Sequence, residues 1–218
     1  MSRSKLLSIL NVLGLAATIV VSWLSTTGVF NGHTMADLSA RYPTPVTPAP
    51  YAFSIWGLIY LSLIGFVVYN ARAGTRVGGW FLVTCVANCL TDMELTDPLW
   101  PEIVFVWWPF CYYTGWITVA ILANLAAWLV KLGIGVSTMG AIVLLLLGGA
   151  VYLSMTWKRN MREYGFVGVW GLVAIAKADW HRMPAVAGVA LTLSVILFVS
   201  SSLHAWRNRA YGPFRKRN

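Results

Sequence analysis

Apolar positions in this chain come in long, nearly unbroken blocks separated by short polar stretches. Residues 6–30, 103–130 and 184–206 form the longest blocks. Each is long enough to cross a hydrocarbon core of about 30 Å, which takes about 20 apolar residues as a helix. Shorter blocks cover 53–70, 79–90, 138–157 and 164–176. The pattern predicts an all-α integral membrane protein with six or seven apolar segments. If all seven cross, the termini lie on opposite faces, yet both are basic, against the preference of Lys and Arg for the cytoplasmic side. With 79–90, the shortest block, as a partial or re-entrant segment, Arg3, Lys158 and the basic tail all fall inside, and such a segment needs protein or a wet cavity over its open backbone. Six and seven spans both stay open. Between the third and fourth blocks, residues 92–102 hold four of the seven acidic residues and read as an aqueous loop.

Composition agrees with the pattern. Hydrophobic residues make up 58% of the 218 positions and charged residues 11%, against about 25% charged in ordinary soluble domains. The net charge of +9 comes from 16 Lys and Arg, nearly all at the chain ends or beside the apolar blocks, where they set topology. Nucleic-acid binding is not expected. The tail from Arg207, through Arg209, Arg215, Lys216 and Arg217, suits anionic headgroups. The first block exceeds the usual signal-peptide core of about 7 to 15 residues, so it is read as a retained spanning helix. Cys85, Cys89 and Cys111 fit neither a disulfide framework nor a zinc pattern, and apolar packing is their expected role.

The polar residues missing from the blocks restrict function further. No Asp, Glu, Lys or Arg falls within 53–70, 103–130, 138–157 or 184–206, whereas proton pumps, ion-coupled carriers and voltage sensors need intramembrane charge. His33, His181 and His204 lie in loops or near a membrane end, which argues against a haem held between two buried histidines. No nucleophile–base pair, phosphate-cradling glycine loop or metal-spaced cluster is present. No catalytic or metal-binding residue is assigned, and the chain is not expected to be an enzyme.

Two aromatic patterns remain. Pro43, Pro45, Pro48 and Pro50 lack N–H groups and clash with a preceding helical turn, so they predict a stiff, extended ramp. It ends at an apolar helix carrying Phe53, Trp56 and Tyr60 at i, i+3 and i+7. In the fourth block Tyr113, Trp116, Ala120, Asn124 and Trp128 follow i, i+3, i+7, i+11 and i+15 along one helix face. An amide within a membrane helix needs a partner on another helix, on a ligand or in an internal cavity. Asn88 and Asn124 share that need, and they either tie helices together or meet a ligand. Of the 12 tryptophans, Trp23, Trp80, Trp100, Trp157, Trp180 and Trp206 lie near block ends as expected for interfacial anchors, while Trp56 and Trp116, with Trp107, Trp108, Trp128 and Trp170, lie within blocks or close to helix starts and are harder to explain that way.

These motifs resemble the TspO/MBR family, the tryptophan-rich sensory or translocator proteins, in a divergent, longer form. Tyr-x-x-Trp-x-x-x-Ala-x-x-x-Asn, at Tyr113, Trp116, Ala120 and Asn124, looks like the family's last-helix motif. Phe-x-x-Trp-x-x-x-Tyr, at Phe53, Trp56 and Tyr60, looks like its second-helix motif with one residue fewer before the tryptophan. Thr91 stands where the third-helix motif usually has Trp, and four segments precede Lys131 where the family core has five. On this resemblance, 1–131 is a TspO-like membrane core, 132–206 adds C-terminal membrane helices, and 207–218 is a basic tail.

The resemblance implies a helical bundle whose cavity binds a tetrapyrrole such as protoporphyrin, or a sterol-like lipid, in a sensory or transport-related role, and porphyrin degradation is an activity that family analogy alone implies. It places Pro48 and Pro50 as a stiff lid, Phe53, Trp56, Tyr60, Tyr113 and Trp116 as aromatic contacts, Ala120 as a small lining residue, and Asn88 and Asn124 as polar contacts. A bound porphyrin is the only cofactor implied. Expected partners are membrane lipid, a hydrophobic small molecule, and a homodimer or larger membrane complex. The expected location is the bacterial cytoplasmic membrane, with a thylakoid or mitochondrial membrane equally compatible in composition. The alternative function is a structural or accessory subunit that keeps the fold without the ligand.

Overall fold

The computed structural model describes residues 3–29, 32–33, 37, 41–73 and 100–207. The expected segment 79–90, with Cys85, Asn88 and Cys89, lies outside the described residues, as do Thr91, residues 92–99 of the acidic stretch and the tail after Arg207. Six long helices are described: α1 (Arg3–Thr26), α2 (Ile55–Ala73), α3 (Trp100–Lys131), α4 (Thr138–Arg159), α5 (Arg162–Asp179) and α6 (Pro184–Arg207). Each coincides with one of the apolar blocks. Five helices are long and apolar enough to cross a membrane, all but α5, among the described residues. The α5 helix carries Arg162, Glu163, Lys177 and Asp179 near its two ends. Trp100 to Glu102, expected in a loop, instead form the first turn of α3.

Local chemistry explains the helix boundaries. Ser137 caps α4 by accepting from the Gly140 N–H at 3.1 Å, satisfying a donor that the first turn leaves open. The same helix ends at Asn160, left-handed at φ 52°, a conformation short polar side chains tolerate. Pro184 opens α6, where its missing N–H costs nothing. In α3, Pro109 cannot donate to the carbonyl four residues back, and its ring crowds that carbonyl. The backbone before it widens into a π-helical stretch, Ile103–Trp107, with the Trp108 N–H bonded to the Ile103 carbonyl. After α3 the chain turns at Gly133 and Gly135, with φ of 77° and 72°, which residues bearing a Cβ seldom adopt.

The chain groups into two compact units, residues 1–38 with 56–110 and residues 39–55 with 111–218. In the first, Phe66 on α2 packs with Val106 and Phe110 on α3, flanked by Val67, Tyr69 and Trp107. The Phe66 and Phe110 rings meet edge to face at 5.4 Å. In the second, α4, α5 and α6 pack on one another, and glycine permits the close approach. Gly165, Gly168 and Gly171 lie three apart on α5. A Cβ on Gly165 would meet the Ser201 and Thr156 hydroxyls, one on Gly168 the Tyr152 ring, and one on Gly171 the Val119 side chain, all below 3.0 Å. Without a hydrophobic drive between helices in lipid, such small-residue contacts supply much of the packing. Gly148 and Gly149 are also used inside the unit, against Leu122 and Leu193.

Candidate functional site

The proline-rich segment has a defined partner, α5. Its course is less uniformly extended than the four prolines suggest. Thr44 to Thr47 close a turn, with the Thr47 N–H on the Thr44 carbonyl at 3.3 Å and the two hydroxyls 2.8 Å apart. Pro45 stands second in that turn, where its fixed φ is favourable. Extended backbone resumes at Ala49 (φ −56°, ψ 147°), and Pro50 then opens a 3₁₀ turn, Pro50–Ser54. Phe53 therefore belongs to the 3₁₀ turn and not to α2.

Three hydrogen bonds hold this strap to α5 and the turn after it. The Ala49 N–H donates to the Ala174 carbonyl at 3.1 Å, using a lone pair that a helical carbonyl can spare. Trp170 Nε1 donates to the Ala52 carbonyl at 3.0 Å, and Arg182 Nη2 to the Thr44 carbonyl at 2.8 Å. Tyr51 meets the Trp170 ring edge to face at 5.3 Å, and Lys177 Nζ lies 5.0 Å from the Tyr51 ring centre. Trp170, Ala174 and Lys177 fall at i, i+4 and i+7, so one stripe of α5 receives the strap. Val46 and Ala52 are fully buried.

Arg182 is itself braced by Asp179, whose side chain has no solvent exposure. Asp179 Oδ1 accepts from Arg182 Nε at 2.9 Å and lies 2.7 Å from Nη2. Burial pushes the Asp179 carboxyl above its ordinary value, and the Arg182 guanidinium pulls only part of the way back. The strap is thus tied to a buried acid through one arginine.

Behind the strap, Phe53 meets Trp116 edge to face at 5.7 Å and 85°. Phe53 is exposed, whereas Trp116 is 2% exposed, so Trp116 backs Phe53 and presents little surface of its own. Next to Trp116, the Tyr152 hydroxyl donates to the Gly115 carbonyl at 2.7 Å, and Tyr164 and Thr118 share a hydroxyl–hydroxyl bond. The Tyr152 and Tyr164 rings lie 5.0 Å apart. On α2, Trp56 and Tyr60 stack at 5.5 Å and 23°, both half-buried. Of the remaining sequence-predicted residues, Pro48 is buried, Pro50 exposed, and Tyr113 and Ala120 half-buried. Asn124 is exposed and makes no hydrogen bond to a described residue. Asn88 lies outside the described residues. The structure therefore brings Phe53 together with Trp116, and Trp56 with Tyr60.

The sequence sets Trp170 apart from the interfacial tryptophans without giving it a partner, and it offers no direct sign of Asp179, Arg182, Tyr152 or Tyr164. The glycine spacing of α5 was the available signal, since three glycines at three-residue intervals mark a face meant for close packing. A groove of about 570 Å3 lies elsewhere, lined by Leu61, Ile64, Gly65, Val68, Tyr69 and Arg72 of α2 and Phe105 of α3. None of the sequence-predicted residues lines it.

No curated protein and no solved structure matched the chain. The family model described as TSPO-like protein matches it in two stretches, residues 8–93 and 90–203, which include the strap, both aromatic pairs and all of α5. With spanning helices, the two motif-bearing helices and a match over most of its length, this integral membrane protein belongs to the TSPO-like protein family.

Proposed function

We propose that the protein binds a flat hydrophobic ligand of the tetrapyrrole class, in a sensory or transport-related role without a catalytic cycle. The observation that carries this reading is the Trp56–Tyr60 pair, near-parallel and half-buried on α2. A porphyrin is an apolar disc with charged edges, and a pre-stacked aromatic pair matches its face at little entropic cost. The other residues that the family resemblance names, Phe53, Asn88, Tyr113, Trp116, Ala120 and Asn124, are assigned to the ligand by that resemblance alone. A sterol-like lipid is the aliphatic alternative, and it would gain less from the stacked rings.

Titration of the purified full chain with protoporphyrin is expected to give saturable quenching of tryptophan fluorescence. Trp56→Leu with Tyr60→Leu should weaken the apparent affinity about tenfold, since each aromatic contact is worth about 0.5–1.5 kcal/mol beyond burial. Unsaturable quenching, or an affinity the double variant leaves untouched, would sink the proposal.

A second reading, an accessory subunit of a larger membrane complex, is favoured by Asn124. Its amide sits on an outward face of α3 among Ile121, Leu125 and Trp128, which are 58%, 38% and 56% exposed. An amide on an apolar helix face is better satisfied by a protein neighbour than by lipid. A photo-crosslinking residue at position 124 should then capture one polypeptide in stoichiometric yield. Adducts with lipid alone would remove this reading.

A further inference from the structure

We infer that the groove between α2 and α3 is a binding site for one phospholipid with an anionic headgroup, separate from and independent of the ligand site proposed above. Gly65 and Phe105 both line the groove, and the ring packs close over the glycine: a Cβ at residue 65 would come within 3.1 Å of Phe105 Cδ1. Phe105 forms one wall, held upright by stacking on Tyr69 at 5.5 Å and 16°. Leu61, Ile64 and Val68 form the other and are 68%, 46% and 42% exposed. The volume of about 570 Å3 falls in the range of small-molecule sites, about 300–1,000 Å3.

Charge appears at one end only. Arg72 stands in the last turn of α2, lines the groove, and forms no ion pair or hydrogen bond with a described residue. From Leu61 to Arg72 the helix rises about 16 Å, at about 1.5 Å per residue. That is close to half of a hydrocarbon core of about 30 Å. With Arg72 at headgroup level, the apolar part of the groove therefore runs through one leaflet. It accepts an acyl chain along Leu61, Ile64, Gly65 and Val68 while the guanidinium meets the phosphate. A choline-bearing headgroup brings its own cation to Arg72, so the site selects lipids of net negative charge.

The test uses native mass spectrometry of the detergent-purified full chain after incubation with phosphatidylglycerol or phosphatidylcholine of identical chains. One phosphatidylglycerol should be retained, with about a fivefold preference over phosphatidylcholine, the ratio expected for one basic side chain at an anionic surface. Arg72→Gln should abolish the preference, and Arg72→Lys should restore most of it. Glycerol phosphate, which has the headgroup chemistry without the chains, should not be retained. Equal retention of the two lipids would overturn the proposal, as would a preference that survives Arg72→Gln. Retention of glycerol phosphate at the same level would overturn it as well, because the site would then read free phosphate and not lipid.

Discussion

Gly168→Ala should lower the stability of the protein by up to about 2 kcal/mol, since forcing a methyl into a filled core costs about 1–3 kcal/mol before any gain in helix propensity. The added Cβ would sit 2.8 to 2.9 Å from three atoms of the Tyr152 ring. A long aliphatic chain could swing aside, but this ring is 1% exposed, and its hydroxyl is tied to the Gly115 carbonyl. Alanine's helix propensity works the other way, by about 1 kcal/mol, so the clash prevails. Gly188 on α6 separates the two effects, because nothing lies within 4 Å of a Cβ there. Gly188→Ala should be neutral or slightly stabilising, and Gly168→Ala combined with Tyr152→Leu should recover part of the loss. Thermal unfolding of the four proteins in one detergent checks this, and equal melting temperatures for Gly168→Ala and Gly188→Ala would refute it.

Arg182→Ala should be comparably damaging, on the order of 3 kcal/mol at neutral pH, because it leaves a fully buried carboxylate without its counter-charge. It also removes the bond to the Thr44 carbonyl, so the strap should become more open to limited proteolysis near Thr44. The pH dependence has a definite sign. The Asp179 carboxyl is already raised above 3.8 in the folded protein, so the stability linked to its protonation is complete below that value. It is lost as pH climbs through the folded value. Without Arg182 the folded value rises further, so the gap between wild type and Arg182→Ala should be narrow near pH 4 and widest near pH 8. Asp179→Asn in the Arg182→Ala background should close most of the gap at pH 8. A gap of constant size would mean that the carboxylate is not what Arg182 holds.

Both results turn on α5, the element whose importance was least visible along the chain. Its apolar block, 164–176, is short, and its charges kept it below the spanning helices in prominence. Its three glycines and the Trp170, Ala174 and Lys177 stripe lie on the surfaces that meet α3, α4, α6 and the strap. Trp116 carries a similar lesson. Its place in the Tyr113 to Asn124 spacing identified it as important, but no spacing rule says whether an aromatic ring faces a ligand or backs another ring. The contact with Phe53 and the near-complete burial assign it the second position.

What the sequence determined by itself is the set of described helices and the family. Hydrocarbon thickness converts block length directly into spans, and a helix in lipid must satisfy its own backbone, so length and polarity suffice without knowledge of neighbours. The Phe53-Trp56-Tyr60 and Tyr113-Trp116-Ala120-Asn124 spacings sufficed for the resemblance that the TSPO-like match supports. Only the tertiary structure decided that the proline segment turns at Thr44 and is pinned to α5. It also decided that Gly168 makes room for Tyr152, that Arg182 joins a buried acid to the strap, and that Gly65 and Phe105 shape a groove ending at Arg72. Each of these depends on residues far apart in sequence approaching within a few ångströms. A uniformly apolar membrane helix carries little periodic signal for which of its faces will meet protein and which will meet lipid.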